Sequence, residues 1–427
     1  MNAQLIHQKW RVEVTLYASA IMMSLIWSSL GPMMLEITEK FQIPLVKAGL
    51  LSGIVACVLG LFASISSMIS SRLGMENTAS LGVFLMSIGC LMTGLADRYI
   101  WVLVGRIIFS IGAGMFFPML GAIIMEWFDG DELVMINSIN FSGTAVGTSI
   151  GLAITAPIMH IIGWQETLII YGIICGIVAC FSLFTLIPKR ITDSARYSDQ
   201  SDHEKTKYIY LDVMKRKETW LLAMAFAAPV SLSVITHTFL PAYFVTTKNI
   251  GMETAGYYVS SVYLSGIPAA IFGGIIGVKL GSRRPFLIFN GIILGISFLG
   301  LLFFEGLGFK ICLSFLGVGF LLFTGIFYTI PMELNNMTPR SAGVMLGIIT
   351  FVGMQFGFTA PIFVGWLELK TGSLLLGLIF YGFFGFIMCL PNRREWKQGL
   401  LKRWSYVIDA QKSFGYSIRK QKSKLSL

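Results

Sequence analysis

The sequence predicts an all-α membrane protein, with twelve transmembrane helices in two pseudo-symmetric bundles of six. Three observations predict it. The 427-residue chain is 55% hydrophobic and only 13% charged, with a mean hydropathy of +0.75, whereas a soluble domain carries about 25% charged residues. Apolar runs long enough to cross a bilayer recur twelve times along it. The second six repeat landmarks of the first at a nearly constant spacing. A crossing takes about 20 apolar residues, and within lipid only a helix satisfies the backbone of such a segment.

The runs lie at about 14–36, 46–71, 78–96, 99–127, 133–161 and 166–188, then 219–246, 254–280, 285–304, 308–335, 341–367 and 372–391. They divide the chain into an N-terminal bundle (1–188), a hydrophilic connector (189–218), a C-terminal bundle (219–391) and a basic tail (392–427). The opening "MNAQLIHQKWRVEV" leads directly into a run too long for a signal peptide, so a retained first span is expected.

Orientation follows from the basic residues. With the N-terminus inside, the inner segments hold 25 of the 32 Lys and Arg, among them Lys9, Arg11, Arg72, Lys279, Arg283, Arg284 and Arg340. Cytoplasmic loops carry such an excess, so both termini are expected in the cytoplasm, with the chain multi-pass in the cell membrane. The net charge of +10 is then a matter of topology and does not point to nucleic acid.

The repeat is carried by several matches. "SSRLGM" (70–75) aligns with "GVKLGS" (277–282), placing Arg72 on Lys279 and Gly74 on Gly281. Gly112 and Gly114 match Gly317 and Gly319, "ITAPI" (154–158) returns as "FTAPI" (358–362), and Pro32 matches Pro241. A parallel duplication of six helices is the pattern of a transporter with its site between two bundles, near the midplane.

Span four carries Arg106, Gly112 and Gly114, and span five carries Gly143, Gly147, Gly151 and Pro157 before "GWQE". On these residues the chain resembles the major facilitator superfamily across all twelve spans. In that family "GWR" often stands where Gln165 departs from it. The family's loop between spans two and three is degraded here. It reads Ser67, Ser71, Arg72, Gly74, Met75 and Glu76, and in the second copy Gly274, Val278, Lys279, Gly281, Ser282 and Arg283. Both acidic positions are lost, so the family's charge lock between bundles does not carry over. The resemblance implies a monomeric secondary transporter working by alternating access on a small solute. It also implies coupling to an ion gradient, most often protons, as in symport.

The glycines read as packing or hinge positions, since small residues every four positions let helices approach closely. Pro157, Pro241 and Pro361 are expected to bend helices near the outer side.

Candidate site residues are the polar groups deep in the membrane. Arg106 lies about seven residues before the centre of span four, roughly 10 Å outward at about 1.5 Å per residue. A charge there is costly and so points to function. Its guanidinium fork suits a carboxylate or phosphate, with snorkelling or carbonyl pairing as the structural alternative. His237, four residues before Pro241, and Ser28, four before Pro32, are pseudo-equivalent and are expected on cavity-lining faces, with Trp27 beside Ser28. His237 can change charge near neutral pH and so carry a proton. Gln355, Tyr263 and Thr324 are further candidates on spans eleven, eight and ten. No Asp or Glu is read at mid-span; Glu36, Asp97, Glu126 and Glu333 lie near span ends. A positive deep charge without an embedded acid points to a small organic anion as substrate. A multidrug or metabolite exporter with an aromatic, uncharged cavity is the first alternative, and a non-transporting sensor that keeps the fold is the second.

An enzyme is not expected. The six cysteines all fall inside apolar runs and form no CxxC pair, and no nucleotide-binding P-loop or HExxH zinc motif occurs. No cofactor or metal is read. Near the C-terminus, Trp396, Leu400, Trp404 and Ile408 recur every four residues among basic ones, an interfacial pattern.

Overall fold

The computed structural model describes residues 3–128, 130–186, 210–279, 284–323, 327, 330–334, 337 and 339–389. Most of the connector, the basic tail, Thr324 and Gly281 therefore lie outside the described residues.

The N-terminal bundle comprises α1 (Ala3–Ser28), α2 (Leu30–Phe41), α3 (Leu45–Leu73), α4 (Met75–Gly94), α5 (Tyr99–Trp127), α6 (Gly130–Ile162) and α7 (Trp164–Thr185). The C-terminal bundle comprises α8 (Lys217–Thr238), α9 (Leu240–Thr246), α10 (Met252–Lys279), α11 (Arg284–Phe303), α12 (Gly306–Leu321), α13 (Ile330–Glu333), α14 (Pro339–Thr371) and α15 (Leu375–Phe384), continued by a 3₁₀ turn over Gly385–Cys389. Among the described residues nine segments are long and apolar enough to cross a membrane, counting α1 with α2 and α8 with α9 as one each. The buried apolar side chains fall into two clusters, one drawn from residues 12–186 and the other, apart from Leu152, from 213–388.

The first helix of each half is broken; the sequence predicts a bend at Pro241 but no break in the first span at Ser29. The chemistry of the break is in the sequence all the same. A proline ring clashes with the carbonyl four residues earlier; for Pro32 that is Ser28, and for Pro241 it is His237. Accordingly α1 ends at Ser28 and α8 at Thr238, each proline falling in the first turn of the helix that follows. Pro157 and Pro361, expected to bend their helices, lie inside the continuous α6 and α14. Span ten also departs from the expected run of 308–335, since α12 ends at Leu321.

Glycines set the close approaches. A Cβ at Gly143 would lie 2.8 Å from the Tyr17 ring, one at Gly147 would meet Ile21, and one at Gly151 would lie 2.7 Å from the Leu25 carbonyl, so this face of α6 is seated directly on α1. Gly112 faces α4 and Gly114 faces α3. In the second half Gly317 faces α10 and Gly319 faces α11. Each pair thus divides the same two neighbours, but in opposite order, so the sequence match does not preserve the faces.

The chain turns from α3 into α4 at Gly74, whose φ of 86° is cheap only for glycine. Arg72 is exposed there and Glu76 is buried. Lys279 closes α10.

The bundles meet most closely on the face opposite the chain's start, here the far face. Ser52 Oγ lies 2.6 Å from Thr238 Oγ1, and Ser149 Oγ donates to the Ser260 carbonyl at 2.7 Å. Gly49 and Gly53 of α3 pack on Pro361 and Phe358 of α14, and Gly256 of α10 on Leu152 of α6. Gly121 and Gly347, toward the other face, would have no atom within 4 Å of an added Cβ. The far face is further tied by Gln165, which donates to the Ala96 carbonyl at 3.0 Å and accepts from Lys40.

Candidate substrate cavity

A cavity of about 210 Å³ lies between the two bundles. From the first half it takes Met23, Ser24, Trp27 and Ser28 of α1, Leu59 of α3, Phe117 of α5, and Thr144, Ala145 and Thr148 of α6. From the second it takes Phe226, Pro229, Val230, Ser233, Val234 and His237 of α8, Tyr263 of α10, Phe320 and Leu321 of α12, Phe323, and Met354 of α14.

The two broken helices supply its polar end. Trp27 and His237 meet edge to face, with ring centroids 5.5 Å apart. His237 Nδ1 lies 3.4 Å from the Tyr263 hydroxyl, which donates to the Ser233 carbonyl at 3.1 Å and stacks its ring on Phe320 at 5.9 Å. Ser28 Oγ is bonded inward, to the carbonyls of Leu25 at 3.2 Å and Thr148 at 3.3 Å. Two buried nitrogens on this wall have no hydrogen-bond partner: Trp27 Nε1 and His237 Nε2. An unpartnered buried polar atom costs about 1–3 kcal/mol, and both nitrogens belong to residues that line the cavity. The rest of the lining, which includes Phe117, Phe226, Phe320 and Phe323, is largely aromatic and apolar. Among the described residues no Asp or Glu lines the cavity.

The structure thus brings Trp27, Ser28, His237 and Tyr263 together around one space. Arg106 is not on its wall. It is wholly buried behind α1, donating from Nη1 to the Ile26 carbonyl at 3.2 Å, with its guanidinium 5.0 Å from the centre of the Phe109 ring. Its Nε and Nη2 have no partner. Gln355 also lies off the wall, with Nε2 buried, unpartnered and turned toward Gly60 of α3.

Some cavity residues were not singled out from sequence. Ser233, four residues before His237, shares its helix face and was within reach of the same periodicity. The phenylalanines were not, because nothing in the sequence separates a cavity phenylalanine from a lipid-facing one. Glu13 was also missed as a deep acid. It is the eleventh residue of α1 and is buried, taking a 2.7 Å hydrogen bond from Asn140 of α6.

Comparison with known proteins agrees with this architecture. The model of the Major Facilitator Superfamily matches residues 16–361. A probable nitrate transporter NarT of Staphylococcus aureus (strain bovine RF122 / ET3-1) is 28% identical over 310 residues, covering 69% of this chain and 70% of that protein. The hexuronate transporter of Bacillus subtilis is 20% identical over 352 residues, 79% of this chain and 82% of that one. In three dimensions the chain is similar to a bacterial homolog of the human lysosomal transporter Spinster, in an inward-facing and unoccupied conformation. The TM-score is 0.68 at 16% identity, over 92% of this chain and 98% of that one. With nine segments among the described residues long and apolar enough to cross a membrane, a cavity between the two bundles and a family match over most of its length, the chain is a multi-pass membrane protein of the Major Facilitator Superfamily.

Proposed function

We propose that this secondary transporter moves a small organic anion across the cell membrane by alternating access, with proton coupling. The observation that carries the reading is the pair of unpartnered nitrogens, Trp27 Nε1 and His237 Nε2, on the wall between the bundles. When His237 is neutral with its proton on Nδ1, that N–H donates to the Tyr263 hydroxyl, which donates onward to the Ser233 carbonyl. A second proton must then enter at Nε2. This turns the wall into two converging N–H donors with a positive charge, which is what a carboxylate or nitrate takes up. Anion and proton then enter together. Arg106, one layer behind, adds a fixed positive charge. The names of the nitrate and hexuronate relatives support an anion. The aromatic part of the cavity lining favours a second reading, export of an apolar drug or metabolite.

Counterflow in proteoliposomes separates the two. Vesicles preloaded with glucuronate should accumulate the labelled anion, whereas exchange of nitrate alone would make the substrate an inorganic anion. Trp27→Phe should lower the uptake by about tenfold or more, the worth of one hydrogen bond to a charged group of about 1.5–3 kcal/mol. Exchange of ethidium without exchange of either anion would replace the anion reading with the exporter reading. No exchange of any of the three would favour a sensor.

The basic residues favour both termini in the cytoplasm. In a cysteine-free background, Asn77→Cys, exposed at the α3–α4 turn, should resist an impermeant thiol reagent added to intact cells. Asp97→Cys, exposed on the far face, should react. Labelling in the reverse pattern would invert the orientation.

A further inference from the structure

Glu13 and Asn140 form a buried polar pair between α1 and α6, away from the substrate cavity. Glu13 is 4% exposed and Asn140 1%. Asn140 has two amide hydrogens, and both are used: Nδ2 donates to Glu13 Oε1 at 2.7 Å and to the Ile136 carbonyl at 3.2 Å. That leaves Glu13 Oε2 and Asn140 Oδ1 buried without partners. Both are acceptors when the carboxyl is ionised, so the pair has two unmet acceptors and no donor. A single proton on Oε2 makes it a donor, removes the negative charge, and supplies the one hydrogen the cluster lacks. Carboxyl and carboxamide have matching shapes, and in the neutral state they can bond to one another through both arms.

Among the described residues no ion pair to the carboxylate is formed. One turn either side on α1 stand Lys9, whose ammonium lies 4.3 Å from the centre of the Phe128 ring, and Tyr17, which packs on Gly143. The neighbouring described helices bring Glu76 on α4, Glu126 on α5 and Cys180 on α7 to this end, while His7 and Arg11 of α1 are exposed. An ionised carboxylate buried without a cation is strongly disfavoured.

We infer that the Glu13–Asn140 pair is a proton-binding site of this transporter, loaded and emptied during the cycle and distinct from His237. The inference rests on the proposed proton-coupled transport. Its position explains how it would act. Asn140 continues the face of α6 that carries Gly143, Gly147 and Gly151, all seated on α1. Fourteen residues along α1 from Glu13 stands Trp27 on the cavity wall, about 21 Å away at about 1.5 Å per residue. Protonation fastens α1 to α6 at one end of that seam. Loss of the proton leaves Glu13 Oε2 and Asn140 Oδ1 as two buried acceptors side by side, which favours parting the helices there and shifts the helix that holds Trp27 and Ser28.

Infrared difference spectroscopy of the purified protein in lipid, scanned over pH, tests the site without any substrate. The wild type should show the carbonyl stretch of a protonated carboxyl that fades reversibly as pH rises, and Glu13→Gln should lack that band. Asn140→Ala, which keeps the acid but removes its partner, should shift the frequency of the band. A band that persists in Glu13→Gln, or that never titrates, overturns the inference. In vesicles, nitrate and glucuronate counterflow should vary with pH in the wild type, and Glu13→Gln should change that pH profile while leaving the part that His237 carries; a profile identical to the wild type's also overturns it. If the wild type exchanges neither anion, the transport reading fails while the infrared result still decides the proton site.

Discussion

Arg106→Ala is expected to fold about as stably as the wild type and to lose most anion binding. The guanidinium makes one hydrogen bond in the interior, to the Ile26 carbonyl, and its Nε and Nη2 have no partner. A bond from a charged group contributes about 1.5–3 kcal/mol. Placing an arginine at a helix centre costs about 2.5–3.5 kcal/mol on insertion scales. Arg106 lies off that centre, where the cost is smaller, and the bond together with the Phe109 contact roughly offsets it; Ile26 keeps a second donor, Ser29 Oγ at 2.9 Å. What the alanine removes is a positive charge close behind the cavity wall. At about 10 Å and an effective dielectric of about 20, one charge contributes about 1.7 kcal/mol to an anion, on the order of tenfold in affinity. The sequence suggested a direct bidentate contact, in which lysine would fail. Because the structure seats Arg106 behind α1, the charge matters more than the fork, and Arg106→Lys should bind within a few-fold of the wild type. Melting curves and nitrate and glucuronate binding of the three proteins provide the check. A large drop in melting temperature for Arg106→Ala makes the residue a structural anchor. Lysine as inactive as alanine restores the direct contact.

Gly31→Leu should hold the far face open and abolish turnover. Pro241 frees the His237 carbonyl from its helix, and that carbonyl is packed so closely on Gly31 that a Cβ there would overlap it. Gly31 and His237 belong to opposite bundles, so the clash exists only when the far face is shut. Packing within each bundle is largely spared. Overfilling a packed site costs about 1–3 kcal/mol, a shift of about five- to 150-fold between two states. Thr238, 2.6 Å from Ser52 and fully buried when the bundles meet, reports the change. In a cysteine-free background, Thr238→Cys should be protected from a water-soluble thiol reagent and become reactive when Gly31→Leu is added. Gly31→Ala should give a smaller change in the same direction. Unaltered labelling together with normal counterflow would show that this contact does not shut the face.

How much of the cavity is legible in the chain depends on the kind of signal. Trp27, Ser28 and His237 stand out because a proline four residues on frees the carbonyl of Ser28 or His237, and that chemistry is local. Tyr263 was reachable as a polar aromatic deep in a span. Arg106 is conspicuous as a charge, yet its distance from the cavity is set by α1 lying in front of it, and no spacing along span four encodes that. Glu13 was hidden for a plainer reason. It precedes the apolar run, and only the extension of α1 back to Ala3 and the approach of Asn140 bury it.

The sequence by itself determined that this protein crosses a membrane many times as helices, because lipid leaves the backbone no other way to satisfy its hydrogen bonds. It also determined the doubling of six helices, because composition and repeat spacing act along the chain; proline marks the breaks near Pro32 and Pro241, but the same residue leaves α6 and α14 continuous at Pro157 and Pro361. Only the tertiary structure decided which polar atoms share a cavity, which glycine faces which neighbour, and which acceptors are left without a donor. Those depend on contacts between helices more than 100 residues apart, such as Glu13 with Asn140 and Trp27 with His237. Packing sets these contacts through the rotation and depth of each helix, and a hydropathy pattern leaves both free.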